Sequence, residues 1–356
     1  MYFDPRPKER REDLYDREEE LRRFVESKSP LVVVTGLRRT GKSSLILVGV
    51  KSLGMPYIYI DARAFEEKPY ISYADLLKAL EEAVNKIRGK GLREALRGLE
   101  GVEVYGVSIK FRWGGEGRAK LPEILSALSS WAEDRGEGAI VVVDEAQELI
   151  KLRGYNVLPA LAYAYDNLRG VRIVLSGSKA GLLARFLRTE DPSSPLYGRY
   201  ADRIELGPFD KAKAVGFLRE GFRQYGVEFD KGEDVYEELG GIPGWLAAFG
   251  NAYLRTRDLG KALGDVVGAA VGLIRKEFEN FLIGREVAKR RYEAVMRAAK
   301  RCATWSEVKR ALEAQEGRSI NDAEVAKLIR NLADWAFLEK RGEAYCPPDP
   351  LIARAF

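Results

Sequence analysis

Gly36-Leu37-Arg38-Arg39-Thr40-Gly41-Lys42-Ser43 fits the pattern G-x-x-x-x-G-K-[ST] at every fixed position. Pro30-Leu31-Val32-Val33-Val34-Thr35 before it is an apolar, β-branched run, and Ser44-Leu45-Ile46-Leu47-Val48 after it continues as a helix. Strand, glycine loop and helix together turn a pattern into a structural expectation. Glycines let the backbone curl until its N–H groups converge, and a helix N-terminus adds partial positive charge. The whole stretch from Gly36 to Ser44 is therefore a candidate phosphate cradle. Lys42 is expected to reach the β- and γ-phosphates and the Ser43 hydroxyl to ligate Mg²⁺. A glycine turn that happens to carry a lysine is the plain alternative, and the flanks weigh against it.

The rest of the chain must supply a partner for that ion and a group to position water. Ala139-Ile140-Val141-Val142-Val143-Asp144-Glu145 is an apolar run ending in two carboxylates. Continuous apolar runs mark strands buried on both faces, as in a parallel sheet. Ligands of such sheets bind beyond the C-terminal strand ends. Asp144 is the expected Mg²⁺ partner, and Glu145 the residue that polarises the attacking water. An acidic pair after a strand also serves as a helix cap; the phosphate loop tips the balance toward chemistry. Ser176, ending the strand Ile173-Val174-Leu175, is a candidate sensor of the γ-phosphate, with Ser178 beside it; turn formation is its bland reading. Arg199 and Arg203 precede a short strand at 203–206. Either can stabilise transition-state charge, in cis or from a neighbouring subunit, or form a surface salt bridge.

The remaining pattern predicts a three-layer α/β core. A helix capped by Asp16 is expected to run to about Val25. Tyr57-Ile58-Tyr59-Ile60-Asp61 reads as a second strand, 72–87 as a helix and 121–132 as another. Alternation through Val102, Val104, Val107, Ile109 and Phe111 suggests a hairpin. Strand signals stop after Phe209. Residues 210–283 read as helices broken at Gly226 and at Gly240-Gly241-Ile242-Pro243-Gly244. A long helix (286–302), helices at 306–316 and 322–334, and a small hairpin over 337–345 are the parts of a winged helix. The expected division is 1–209, nucleotide-binding core; 210–283, helical lid; 284–356, winged-helix domain.

Composition narrows the function classes. The 356 residues contain no His, which excludes Ser-His and Cys-His catalysis and histidine-held metals. Cys302 and Cys346 are widely spaced and suggest neither a disulfide framework nor a metal site. No apolar run approaches a membrane span, and the charged N-terminus has no signal-peptide core, so a cytoplasmic location is expected. Abundant Glu, Lys and Arg fit a heat-adapted cell. The net charge of +5 permits nucleic-acid contact without demanding it.

With these residues in hand, the chain resembles the AAA+ superfamily, and within it the archaeal ATPase family related to STAND signal-transduction NTPases. Leu14-Tyr15-Asp16-Arg17-Glu18-Glu19-Glu20-Leu21 resembles the family's aromatic-Gly-Arg-Glu-x-Glu-Leu segment, which packs near the adenine; here Asp16 replaces the glycine. The phosphate loop, Val143-Asp144-Glu145-Ala146-Gln147, Leu175-Ser176-Gly177-Ser178 and Leu196-Tyr197-Gly198-Arg199 follow in the family's order. Gly241-Ile242-Pro243 is similar to the STAND Gly-x-Pro of the lid. The resemblance covers about residues 12–250. It implies ATP/ADP as the nucleotide, with Arg17 and Pro243 near base or sugar. It departs from many AAA+ proteins in having no arginine directly after Pro243; the nearest is Arg255.

Two functions compete. One is a Mg²⁺-dependent, ATP-hydrolysing conformational switch that acts on a protein partner or assembles as an oligomer. The other is an ATP-regulated DNA-binding protein that uses its winged helix, as origin-recognition initiators do. Residues 285–356 carry 15 Lys and Arg against 11 Asp and Glu, net +4. The candidate reading helix holds only Lys327 and Arg330 against Asp322, Glu324 and Asp334, which is weak for a DNA reader. A small-molecule kinase shares the phosphate loop, but a helical lid joined to a winged helix argues against it.

Overall fold

The computed structural model describes residues 1–87, 91–106 and 108–356. The N-terminal part runs α1 (Glu18–Glu26), β1 (Leu31–Thr35), α2 (Lys42–Leu53), β2 (Tyr57–Asp61), α3 (Tyr73–Val84), α4 (Leu92–Leu96), β3 (Val102–Tyr105), β4 (Ser108–Phe111), α5 (Leu121–Glu133), β5 (Ala139–Asp144), α6 (Leu158–Asn167), β6 (Val171–Gly177), α7 (Ala180–Leu187) and β7 (Asp202–Glu205). Five of these strands form one parallel sheet in the order β2-β5-β6-β1-β7. The period of two splits its apolar residues between two cores. Leu31, Val33, Val141, Val143, Ile173 and Leu175 face α3, α5 and α6. Val32, Val34, Ile140, Val142 and Val174 face α1 and α2, where they meet Phe24, Leu45 and Ile46. Covering both faces is what requires the unbroken apolar runs of β1, β5 and β6. The expected three-layer α/β core is present.

Local chemistry sets several boundaries. Ser72 caps α3 and Asp75 closes a capping box with it. Asp16 does not cap α1: Arg17 stands at that position, and Asp16 adopts φ +47°. Aspartate tolerates this left-handed conformation better than most residues. β3 and β4 pair as the expected antiparallel hairpin, although Val107 lies outside the described residues.

The helical part comprises α8 (Lys211–Arg223), α9 (Gly232–Leu239), α10 (Pro243–Thr256) and α11 (Leu259–Leu282). The winged helix follows as α12 (Lys289–Ala299), β8 (Ala303–Thr304), α13 (Trp305–Glu316), α14 (Asp322–Asp334), β9 (Glu339–Arg341), β10 (Ala344–Cys346) and α15 (Pro350–Ala355). The helix expected over 286–302 is shorter, because Glu286–Ala288 form a 3-10 turn first. One hydrophobic core runs through both parts. Phe278 and Phe281 of α11 meet Tyr292, Trp335 and Phe337 edge to face, the rings 4.7–5.7 Å apart. The N-terminal Phe3 joins this core, fully buried beside Phe217 and Phe222.

A further sequence expectation fails in the winged helix. Cys302 and Cys346, 44 residues apart, form a disulfide. The antiparallel pairing of β10 with β8 sets Tyr345 opposite Ala303 and so brings the adjacent cysteines together. Among the described residues, no helix is long and apolar enough to cross a membrane.

Candidate nucleotide site

The phosphate loop joins the C-terminal end of β1 to α2. Gly36 has φ +146°, and a Cβ there would collide with the carbonyl of Leu206. Gly41, at φ +100°, occupies the N-cap of α2. Both conformations suit glycine far better than an L side chain. Thr40 is buried and donates through Oγ1 to the Leu37 carbonyl at 2.8 Å, which holds the loop closed.

Lys42 and Glu145 are buried and face each other, with Nζ 3.6 Å from Oε1. Nζ also donates to the carbonyls of Gly36 and Leu37, each at 3.0 Å. Burial pushes the ammonium's pKa down, against the pull of Glu145 and Asp144. Burial also opposes ionisation of Glu145, but Lys42, Ser178 and Gln147 outweigh it and hold the carboxyl at about 2. Ser178 donates to Glu145 Oε2 from its N–H (3.0 Å) and its hydroxyl (2.5 Å), and Gln147 Nε2 donates at 2.7 Å. Glu145 itself sits at φ +54°, an uncommon conformation held here by all these partners.

Asp144 accepts from Ser43 Oγ and Tyr59 OH at 2.6 Å each, and from Ser176 Oγ. Ser176 is thus fully buried against Asp144, while Ser178 is the hydroxyl beside Glu145. Tyr59 was not expected here. Its signal was position: on a strand pairing Asp61 with Asp144, it stands two residues back on the same face.

A cavity of about 500 Å³ opens over the loop, within the range of small-molecule sites. Its walls include Arg38 to Ser44, Glu145, Arg17, Tyr15, Phe209, Phe217, Pro243 and Gly244. Arg17 is buried, stacks on Phe209 at 4.8 Å and donates to the Gly207 carbonyl at 2.6 Å. Pro243 opens α10, and Gly244 N–H donates to the Arg39 carbonyl at 3.0 Å. Arg38 does not point free: it pairs with Glu66 and with Glu277 of α11.

Three placements lay beyond the sequence reading. The N-terminal segment, read as polar and irregular, supplies Tyr2, Pro5 and Lys8 to the cavity wall, and Lys8 N–H donates to Ser44 Oγ at 2.9 Å. Only the aromatic pair Tyr2-Phe3 hinted at an anchor. Arg63, after β2, also lines the cavity while bound to Asp61. Arg199 does not line it; its Nε donates to Asp166 at 2.9 Å, and Arg203 donates to Thr189.

Residues 14–249 match the model of an ATPase domain predominantly from Archaea. The chain belongs to this archaeal ATPase family. It is therefore an ATPase, and a nucleotide is its ligand. Residues 286–348 match the C-terminal winged helix-turn-helix domain of MCM proteins. The archaeal ATPase resembles the Walker-type ATPase PABY2304 of Pyrococcus abyssi along its length, with 35% identity, a TM-score of 0.85, and 100% of this chain and 99% of that chain covered. It also shares a fold with the ORC2 protein of Aeropyrum pernix, at 12% identity and a TM-score of 0.53, covering 99% and 96% of the two chains. No curated protein matches it.

Proposed function

We propose that this ATPase is a Mg²⁺-dependent conformational switch whose nucleotide state is read by the lid and the winged helix. The loop N–H groups and Lys42 hold the phosphates. Glu145, ionised at neutral pH, orients the attacking water rather than taking its proton outright, because so weak a base is a poor acceptor. Ser43 and Asp144 fit a divalent ion: a hydroxyl and a carboxylate converge within 2.6 Å beside Lys42. Among the described residues no cluster of three or more acidic or cysteine ligands exists, as suits an ion held largely by phosphate oxygens and water. Bound Mg²⁺ would supply neutralisation of the phosphate charge. Arg17 and Pro243 flank the base and sugar. Arg199, turned away from its own cavity, acts on the nucleotide of a neighbouring copy.

The observation that carries the switch is a direct one. The loop tip touches the lid through Arg39 on Trp245, and Trp245 touches the segment entering α15 through Asp349. Movement of the loop on γ-phosphate loss is felt two side chains away by the winged helix. On this reading the chain divides into core (1–209), lid (210–283) and winged helix (284–356). Hydrogen exchange of Glu145→Gln with ATP, compared with wild type with ADP, tests it. Protection should differ in α10 and α15; identical exchange in both states would refute the switch.

A second reading is an ATP-regulated DNA-binding protein. It is supported by the winged-helix match and by exposed, unpaired cations on that domain.

A further inference from the structure

The winged helix exposes two kinds of surface. Its α14, in the position of a reading helix in helix-turn-helix domains, is compromised at its C-terminal end. Asp334 is ion-paired with Arg185 of α7 at 3.0 Å and packs on Gly181, and Lys179 lies 4.1 Å from the Trp335 ring. Its exposed cations, Lys327 and Arg330, share the helix with exposed Asp322.

The first helix is different. Lys289, Arg290, Arg297 and Lys300 are all exposed, and at 100° per residue they fall within ~100° of one another about the α12 axis. Arg301 follows, also exposed. Tyr292, Val295, Met296 and Ala299 occupy the adjoining, buried face. Among the described residues, Lys289, Arg290, Lys300 and Arg301 make no ion pair; Arg297 pairs with Glu293 at 3.8 Å and donates to Gln315 at 2.9 Å, and half-buried Glu293 is the carboxylate that falls within the stripe's arc. Arg291, on the inner side, is instead neutralised by Glu316 and Glu324. Charge that is paired inside and unpaired outside is available to a ligand.

We propose that this stripe on α12, and not α14, is the surface that binds nucleic acid, and that its ligand is the phosphate backbone of duplex DNA. The proposal rests on the DNA-binding reading above and goes beyond it by naming the face. The stripe is straight and ~17 Å long, which spans about five base pairs along a duplex axis. It carries no exposed aromatic on which single-stranded bases would stack. It also lacks the apolar face by which a helix enters a lipid surface. The exposed aliphatics Ile283 and Val287 precede α12 and do not interrupt the stripe. With no base-reading groups in play, binding is insensitive to sequence and strongly dependent on salt.

The test uses the full chain and a fluorescent duplex of mixed sequence, titrated by anisotropy from low to physiological salt. Two variants are compared: Lys289→Gln/Arg290→Gln/Lys300→Gln/Arg301→Gln on α12, and Lys327→Gln/Arg330→Gln on α14. Both should keep wild-type ATPase activity and thermal midpoint, which establishes folding. The α12 variant should bind at least ~10-fold more weakly, with its log K against log salt slope lower by about 3. The α14 variant should stay within about 3-fold of wild type, since phosphate contacts there are few. If wild type binds duplex but only the α14 variant loses affinity, the face is wrong while the DNA reading stands. If wild type binds no duplex even at low salt, the DNA reading fails and this proposal with it. Tighter binding to single-stranded RNA or to anionic vesicles than to duplex also overturns it.

Discussion

The guanidinium of Arg39 lies 4.1 Å from the ring centroid of Trp245, and the same indole donates its N–H to Asp349 at 2.8 Å. Arg39 is at the tip of the phosphate loop, Trp245 on the lid and Asp349 just before the last helix. Burial raises the Asp349 carboxyl above its ordinary value, against the hydrogen bond from Trp245. Trp245→Phe keeps a ring under Arg39 but removes the N–H. The buried carboxylate then loses a donor, which should cost about 1–3 kcal/mol at neutral pH. A carboxyl raised on folding takes up a proton more readily in the folded state, so this cost should shrink as pH falls through its folded value. Urea titrations of both proteins at neutral and acidic pH measure the difference.

Glu145→Gln should bind ATP and lower turnover by about 10²-fold, the cost of losing the group that holds the attacking water in line. Lys42→Ala should lose nucleotide binding altogether. Single-turnover hydrolysis and equilibrium binding separate the two; normal turnover in Glu145→Gln would falsify its assigned role.

The Glu145 carboxyl is depressed from 4.5 to about 2. Its ionised form therefore adds stability that is fully present above about 4.5 and is lost as pH falls toward 2. In Glu145→Gln the acid-induced loss of stability over that window should be shallower than in wild type. Because the group stays ionised, the pH profile of kcat/KM for the wild type should show no limb from Glu145 between pH about 5 and 8.

Phe3 fills the space beside Gly221 and Gly250, where any added Cβ would strike its ring. Phe3→Ala should destabilise the protein by about 3–5 kcal/mol. It should also weaken nucleotide affinity, because the segment it anchors lines the cavity. Thermal unfolding with and without ATP reports both effects; lost stability with unchanged affinity would show that the segment is only structural.

The disulfide closes a long loop between α12 and the wing. Cys302→Ser/Cys346→Ser should lower stability by about 2–4 kcal/mol, as expected for a cross-link of that span. Thiol labelling under denaturing, non-reducing conditions should find no free cysteine in the wild type.

Local order along the chain determined much of this protein. The glycine spacing of 36–43, the apolar run that ends at Asp144-Glu145, and the strand-helix alternation each depend on residues close in sequence, where backbone sterics and periodicity act directly. They disclosed the α/β core, the glycine loop between its first strand and helix, and the winged-helix parts without reference to the rest of the chain. Tertiary structure decided what lies between segments. Sheet register put Tyr59 on Asp144 and Cys302 on Cys346. Packing drew Phe3 into the lid, turned Ser176 to Asp144 and Ser178 to Glu145, and left Arg199 with Asp166 outside its own cavity. A side chain's partner across tens or hundreds of residues is fixed by which surfaces bury each other, and no local spacing records that choice.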